Sequence, residues 1–360
     1  MSTDLLQAAK TALSTLVLDP TGKPLGEAGT SVSVTSAGDG VSIDLGFPAE
    51  QFKQGLLGDV HQALQSSALT ADAEIEIRWS VTAHAVRQGL KRLPGVRNVI
   101  AVASGKGGVG KSTVAVNLAL SLAREGAKVG LLDADIYGPS VPKMLGLEGQ
   151  RPASDDGKTM HPLKAHGIVA MSMGFLVDEQ QPMAWRGPMV TSALTQLLQQ
   201  TNWEELDYLL IDMPPGTGDI QLTLAQRVPV TAAVVVTTPQ DVALADARKG
   251  LELFTKVGTP VLGIIENMAM YRCSACGHAE PIFGAGGAAQ LGEDCDLPVI
   301  GQLPLDPSIR VGGDSGQPVS LGEGALAADY GRIALRVAGL LAGYRRDYSH
   351  RFSDVSVEED

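Results

Sequence analysis

One short segment limits the possible folds of this chain more than any other feature: residues 104–113, with the sequence SGKGGVGKST. It follows an apolar run at 98–104 directly and precedes a stretch of helical periodicity at 111–125. The segment matches G-x-x-x-x-G-K-[ST], a loop whose backbone N–H groups surround phosphate oxygens at a helix N-terminus. A strand, this loop and a helix in succession predict a phosphate-binding α/β domain.

The residue types of this loop predict separate contacts with a bound nucleotide. Lys111 is expected to reach the β- and γ-phosphates, and the hydroxyl of Ser112 to ligate Mg²⁺. The other predicted nucleotide-binding residues of the loop are Gly105, Lys106, Gly107, Gly108, Val109, Gly110 and Thr113. Their glycines allow the backbone to approach phosphate closely.

Apolar runs bounded by turn signals continue along the chain and predict strands at 98–104, 128–132, 168–173, 208–211, 232–237, 261–265 and 299–301. Helical periodicity lies between them at 111–125, 188–200, 241–257 and 284–292. The runs are continuous rather than alternating, so the strands are expected to be buried on both faces. The fold class predicted is α/β: a mostly parallel sheet flanked by helices, preceded by a small α+β domain.

The first ninety or so residues differ in sequence pattern from the rest. Two alternating runs at 31–34 and 41–45 predict a hairpin, with helices at 4–17 and 48–67 and a strand at 73–77. We therefore divide the chain into a small α+β domain, a basic linker, a phosphate-loop domain and an acidic tail, at 1–82, 83–97, 98–345 and 346–360. The linker is expected to be solvated, with a role in docking the first domain as the alternative.

Composition excludes several classes of protein. The net charge of −12 argues against nonspecific nucleic-acid binding, which needs a positive surface. Three cysteines cannot build a disulfide framework, so a reducing compartment, the cytoplasm, is expected. No uncharged apolar stretch reaches the ~18 residues that a membrane span needs. The apolar segment 324–344 is predicted to be a packed terminal helix rather than a membrane contact.

Carboxylates follow two of the predicted strands. Asp212 comes after four apolar residues, which is typical of the carboxylate that helps to hold Mg²⁺. Asp135 is the candidate for orienting the attacking water, and Asp133 is expected nearer the metal. The proline- and glycine-rich residues 213–218 that follow are expected to form a loop with two positions.

Cys273 and Cys276 form a C-x-x-C pair for which three interpretations stay open on spacing alone. A redox pair normally occupies a thioredoxin-like context, which is absent here. Half of a zinc site would need two more ligands, of which His278 could be one. Two cysteines from each of two subunits would supply the four thiolates of a [4Fe–4S] cluster. Cys295 is expected to be a partly buried cysteine without a metal role.

Lys106, the second lysine of the loop, makes the loop sequence similar to that of a known group of proteins. GKGGVGKS resembles the deviant phosphate loop of the MinD, ParA and nitrogenase iron protein group. In that group this lysine reaches the nucleotide of the opposite subunit. The resemblance therefore implies an ATP-dependent homodimer.

A longer series of motifs then occurs in order: GKGGVGKST, DADIYGPS, MSMG, WRGPM, DMPPGTGD, TTPQDVALAD, ENM, CSAC and FGAGG. Together, over residues 90–335, they resemble the Mrp/ApbC family of iron–sulfur cluster carrier ATPases. The family implies a homodimer that bridges a [4Fe–4S] cluster through Cys273 and Cys276 of both chains and transfers it to apo-proteins. It also implies that Asn267 contacts adenine.

The N-terminal unit resembles the small iron–sulfur-assembly domain often fused to this family, through Asp19-Pro20 and residues 25–29. No cysteine precedes Cys273, so a thiol role for this unit is in doubt. The rival functions are a MinD/ParA-type positioning switch and a small-molecule kinase. Neither membrane nor nucleic acid is an expected partner, and no chemistry is derived for Trp185-Arg186-Gly187-Pro188.

Overall fold

Two sheets of different size organise the chain. The computed structural model describes residues 3–27, 29–34, 40–65, 74–87, 89–176, 187–273 and 275–347. The smaller sheet belongs to the N-terminal unit and has three strands, and the larger one has eight. Two further pairs of short strands form separate ribbons.

The N-terminal unit is built from α1 (Thr3–Ser14), β1 (Val17–Leu18), β2 (Lys23–Pro24), β3 (Thr30–Val34), β4 (Gly40–Leu45), α2 (Phe52–Gln65) and β5 (Glu74–Trp79). β3 and β4 pair antiparallel, which confirms the predicted hairpin, although its turn lies outside the described residues. β5 lies parallel to β4 on its other side. The two helices pack together, and Ile43, Phe47 and Leu56 are buried in this unit.

The remaining strands are β6 (Val96–Ala103), β7 (Val129–Asp133), β8 (Leu163–Ala165), β9 (Ile168–Ser172), β10 (Leu206–Asp212), β11 (Ala232–Thr237), β12 (Val261–Glu266), β13 (Tyr271–Arg272), β14 (Ala279–Glu280) and β15 (Val299–Gln302). The large sheet has the order β15-β12-β11-β6-β10-β7-β9-β8. All of its pairings are parallel except that of β8 with β9 at one edge.

Helices cover this sheet: α3 (Lys111–Arg124), α4 (Val141–Met144), α5 (Gly187–Gln200), α6 (Asp219–Arg227), α7 (Asp241–Lys256), α8 (Gly287–Cys295), α9 (Pro307–Asp314) and α10 (Ala325–Ala342). Short 3₁₀ turns lie at Met173–Phe175 and Val319–Leu321. α3 packs on α10, α5 on α6, and α7 on α8. Buried residues along α10 confirm that it is a packed terminal helix.

Four of the inner strands, β7, β10, β11 and β12, are buried along their whole length, as their continuous apolar runs predict. The seven predicted strands of the large sheet are all present, within two residues of their predicted bounds in most cases. The sequence analysis missed β8, because its three residues are only partly buried or exposed and carry no apolar run.

The expectation of a solvated linker holds only in part, because segment 83–97 combines exposed residues with buried ones. His84, at the start of segment 83–97, is only 1% exposed, and Leu93 is buried as well. The backbone of this segment pairs with residues 345–347, because Ala85 N–H donates to the carbonyl of Arg345 and Asp347 N–H to that of Ala83. The segment thus packs between β6 and the end of the described chain, while the domain boundaries remain a prediction.

The N-terminal unit contacts the second unit through backbone as well as side chains. The carboxylate of Glu125, at the end of α3, accepts hydrogen bonds from the N–H groups of Gln51 and Phe52 at the start of α2. Gly339 of α10 lies so close to Pro20 that a Cβ there would be 2.6 Å from the carbonyl oxygen of Pro20. The unit is therefore packed against the ends of α3 and α10.

None of the helices that the structure describes is both long and apolar enough to cross a bilayer.

Candidate functional site

The phosphate loop lies between the end of β6 and the start of α3, at the carboxyl edge of the sheet. Its glycines serve different needs. Gly108 and Gly110 have φ values of 80° and 82°, in the left-handed region that favours glycine. Gly105 is required by packing, because a Cβ there would lie 2.1 Å from backbone atoms of Asp246 in α7. The loop is therefore held in shape from one side by α7.

Lys111 and Asp212 form a buried ion pair in the centre of this site. Lys111 Nζ lies 2.5 Å from Asp212 Oδ1 and donates to Ser112 Oγ at 3.3 Å. The side chains are 5% and 0% exposed. Burial raises the pKa of Asp212, and the ammonium of Lys111 opposes that shift. The second oxygen of the carboxylate, Oδ2, is buried with no hydrogen-bond partner among the described residues.

Asp133 is the last residue of the neighbouring strand β7 and lies opposite Asp212 in the register of β7 with β10. Its oxygens accept hydrogen bonds from the N–H groups of Asp135 and Val141 and from the hydroxyl of Ser172. Burial, with the nearby carboxylate of Asp212, raises the pKa of Asp133 to about 7. Asp133 therefore holds the start of the loop after β7 and fixes the backbone of Asp135.

Asp135 itself is half-buried, and burial raises its pKa above the usual range. The structure thus brings Lys111, Ser112, Asp133, Asp135 and Asp212 to one edge of the sheet. Parallel strands explain this, since their carboxyl ends meet at the same edge. Lys106 lies in the same loop, half-buried and without an ion-pair partner in the part of the chain that the structure describes.

Asn267 follows β12, two strands away from β6 in the sheet. Its side chain is buried, and Nδ2 donates to the carbonyl of Val109 in the phosphate loop at 2.8 Å. The predicted contact with adenine stays a prediction. In the structure, the side-chain amide of Asn267 contacts the phosphate loop.

Cys273 and Cys276 lie at the tip of the ribbon formed by β13 and β14. Cys273 N–H donates to the carbonyl of His278, and Gly277 N–H to that of Cys273, which closes a tight turn. Cys276 is exposed and Cys273 partly so. The N–H groups of Cys276 and Ala275 hold the pKa of the Cys273 thiol below its usual value, so its thiolate is favoured. Ser274 lies outside the described residues.

Three further expectations from the sequence concern the zinc alternative, Cys295, and the pair Trp185 and Arg186. Within the described chain, no three His, Cys, Asp or Glu residues gather into a metal-binding group, so His278 does not complete a zinc site with the two thiols. Cys295 lies at the end of α8 and is partly buried, as expected. Trp185 and Arg186 lie outside the described residues.

The sequence analysis did not identify two residues of the site, Glu266 and Ser172. Glu266, at the end of β12, is buried and accepts hydrogen bonds from Ala288 N–H at the start of α8 and from the side chain of Gln302. Ser172 holds Asp133 from the next strand. Both lie inside quoted motifs, ENM and MSMG, but their role depends on partners distant in the chain.

The site matches a known family. Residues 95–338 match the family model described as NUBPL iron-transfer P-loop NTPase. This chain belongs to that family. The finding confirms the resemblance to iron–sulfur cluster carrier ATPases, and the phosphate loop is that of a P-loop NTPase.

Several known proteins are similar to this chain over most of its length. An iron–sulfur cluster carrier protein of Salmonella typhimurium is 61% identical over 249 residues, 69% of this chain and 68% of the relative. One of Haemophilus influenzae is 51% identical over 323 residues, 86% and 85% of the two chains. A solved nucleotide-binding protein of Archaeoglobus fulgidus in complex with ADP is 38% identical, with a TM-score of 0.58, covering 66% of this chain and 92% of that one.

Proposed function

We propose that the chain is an ATP-hydrolysing carrier that binds a [4Fe–4S] cluster between two copies of itself and passes it to apo-proteins. The observation that carries the proposal is the pair Cys273 and Cys276, the first partly exposed and the second exposed, on the ribbon that follows β12 in a chain with a phosphate loop. Relatives named as iron–sulfur cluster carriers support it. The cluster is the cargo of this protein, and ATP is its substrate.

The number of ligands favours a shared cluster. A [4Fe–4S] cluster takes four cysteine thiolates, and each chain offers two on this ribbon. The described residues hold no third ligand next to them. A second copy would supply the missing pair, and the lowered pKa of Cys273 favours the thiolate that ligates iron. An exposed site at a junction of two subunits also leaves the cluster open to transfer.

The residues around Asp212 fit Mg²⁺. Asp212 offers a buried carboxylate oxygen without a hydrogen-bond partner among the described residues, and the hydroxyl of Ser112 lies beside Lys111 in the same group. Such oxygens are the ligands that Mg²⁺ prefers. We assign the ion to Ser112 and Asp212, with Asp133 behind them. When bound, it would neutralise charge on the β- and γ-phosphates.

The other polar residues would bind and orient the reactants. We assign Lys111 to the β- and γ-phosphates, and the N–H groups of residues 105–113 to the remaining phosphate oxygens. Asp135, held by Asp133, would accept a hydrogen bond from the attacking water. Lys106 would reach the nucleotide of the opposite subunit, and Asn267 the adenine.

The test is anaerobic reconstitution of the full chain with iron and sulfide, followed by a visible spectrum, iron and sulfide counts, and the mass of the complex. We expect about four irons per dimer. Cys273→Ala and Cys276→Ala should each abolish cluster binding, because each removes two of the four ligands from the dimer.

Cys295→Ala is the matched control and should bind as much iron as the parent chain. ATP hydrolysis should survive in all three variants, since the phosphate loop does not use the thiols. Stoichiometric zinc without a brown chromophore, or a full cluster on a monomer, would contradict the proposal.

A further inference from the structure

Asn267 connects the phosphate loop to the segment that carries the two thiols. Its Nδ2 donates to the carbonyl of Val109, and its amide lies against Gly110, where a Cβ would be 2.2 Å from Nδ2. Val109 and Gly110 immediately precede Lys111. A change in the shape of the loop on binding phosphate must therefore either carry the Asn267 side chain with it or break this hydrogen bond.

The backbone after Asn267 leads directly to Cys273. Met268 has a φ of 57°, a conformation that is strained for a residue with a side chain. The next residues run beside the chain after β15, because Ala269 N–H donates to the carbonyl of Leu303 and Leu305 N–H to that of Met270. β13 and Cys273 follow. Movement at Asn267 would thus reach the ribbon through the five residues 268–272. The first of them, Met268, has the strained backbone conformation.

The other end of this segment is fixed at the same place. Glu266 accepts a hydrogen bond from Ala288 N–H, in the first turn of α8, and from Gln302. Residues 268–286 contain both thiols. The hydrogen bond between Glu266 and Ala288 therefore holds the chain before this segment close to the chain after it, next to Asn267. The base of the ribbon is thus held by Glu266, and Asn267 at that base donates a hydrogen bond to the phosphate loop.

We propose that Asn267 is a positioning residue that couples the phosphate loop to the ribbon of Cys273 and Cys276, so that bound nucleotide changes the accessibility of the two thiols. The proposal deepens the carrier function and rests on it for its meaning. An amide has two N–H groups and one carbonyl oxygen, so it can exchange its bond to Val109 for one to a nucleotide. A nucleotide would then bind the two arrangements of the Asn267 side chain with different affinities. Any such coupling requires this difference in affinity.

The test uses the full chain without a cluster. The alkylation rates of Cys273 and Cys276 by iodoacetamide are measured by mass spectrometry with and without saturating ADP, and ADP binding is measured separately. In the parent chain we expect ADP to change these rates about fivefold or more. Cys295 serves as an internal reference whose rate should not change.

Asn267→Ala should bind ADP more weakly because it lacks the adenine contact, and at an ADP concentration raised until this variant is saturated it should lose the change in rate. Asn267→Asp, which keeps the shape and replaces the donor by an acceptor, should do the same and provides the test if the alanine variant does not fold. The matched control is Asn117→Ala. Asn117 is a buried amide that bonds the carbonyl of Thr113 but does not touch the ribbon, so this variant should keep the change in rate.

Two results would overturn the coupling: no effect of ADP on the parent chain, or an unchanged effect in both Asn267 variants. Alkylation needs no iron. A failure of cluster reconstitution would therefore count against the carrier function alone, whereas a failure here would count against the role of Asn267 alone.

Discussion

At the scale of single residues, Lys111 is charged yet only 5% exposed, and it neutralises Asp212. Considered from the sequence alone, Lys111→Ala should leave the fold intact, because the lysine is expected to face phosphate. Its burial changes that expectation. Removing one partner of a buried ion pair leaves the other charge without compensation and typically costs about 3–5 kcal/mol.

We therefore predict that Lys111→Ala abolishes ATP hydrolysis and lowers the free energy of unfolding, without nucleotide, by about 3 kcal/mol. Lys106→Ala is the control in the same loop. It should keep the stability of the parent chain within about 0.5 kcal/mol and still impair hydrolysis. Urea denaturation and a phosphate-release assay measure the two effects. Equal stability of both variants would contradict the structural role of Lys111.

A second residue-scale prediction concerns pH. His84 is 1% exposed, and burial lowers its pKa, assisted by Arg346 across the backbone bridge and opposed by its hydrogen bond to Asn98. The unfolded chain binds a proton at this histidine near pH 6.5, whereas the folded chain resists it. The contribution of His84 to stability is therefore present above about pH 6.5 and is lost as the pH falls below it.

We expect the loss of stability between about pH 7.5 and 5.5 to be smaller in His84→Gln than in the parent chain, by about 1 kcal/mol. Urea denaturation at both pH values gives the comparison. Parallel pH profiles for the two proteins would show that His84 does not titrate differently on folding.

At the scale of elements, α7 shapes the phosphate loop. A Cβ at Gly105 would lie 2.1 Å from the backbone of Asp246, whereas a Cβ at Gly107 would meet nothing nearer than Pro215 at 3.9 Å. Backbone cannot move aside as a flexible side chain does. Two glycines two positions apart in the same motif thus have different physical reasons to be glycine.

We predict that Gly105→Ala lowers the free energy of unfolding by about 1–3 kcal/mol, the usual cost of overpacking, and that Gly107→Ala changes it by less than about 0.5 kcal/mol. Thermal or urea denaturation of the nucleotide-free proteins measures this. A Gly105→Ala protein as stable as the parent chain would mean that α7 shifts away at little cost.

At the scale of the whole molecule, the N-terminal unit is packed on the end of α10. A Cβ at Gly339 would lie 2.6 Å from the carbonyl oxygen of Pro20, and one at Gly29 would lie 2.3 Å from that of Ala342. Arg336 pairs with Asp19 in the same region at 2.5 Å. The docking of the two units therefore depends on close backbone approach, which any larger residue would prevent.

Gly339→Ala should accordingly loosen the N-terminal unit, seen as faster hydrogen–deuterium exchange in residues 9–27, and cost about 1–3 kcal/mol of stability. Gly331→Ala lies in the same helix with open space around it and should leave exchange unchanged. It should even add about 0.5–1 kcal/mol, because alanine favours a helix over glycine. Identical exchange in the two variants would contradict the docking.

The sequence by itself determined the phosphate loop, the seven parallel strands and the pair of thiols. Each of these depends on short-range patterns: glycine spacing, continuous apolar runs and the C-x-x-C interval. Such patterns are set by neighbours within a few residues, so they are readable without the fold. The family motifs extended this to the family to which the chain belongs.

Only the tertiary structure decided which of these residues contact one another. The pair of Lys111 with Asp212 joins residues 101 positions apart, and that of Asn267 with Val109 joins residues 158 positions apart. The burial of His84 likewise depends on a segment near the other end of the chain. These contacts follow from the order of strands in the sheet and from the docking of helices on it. No local periodicity encodes that order, because it is set by which apolar surfaces can be buried together.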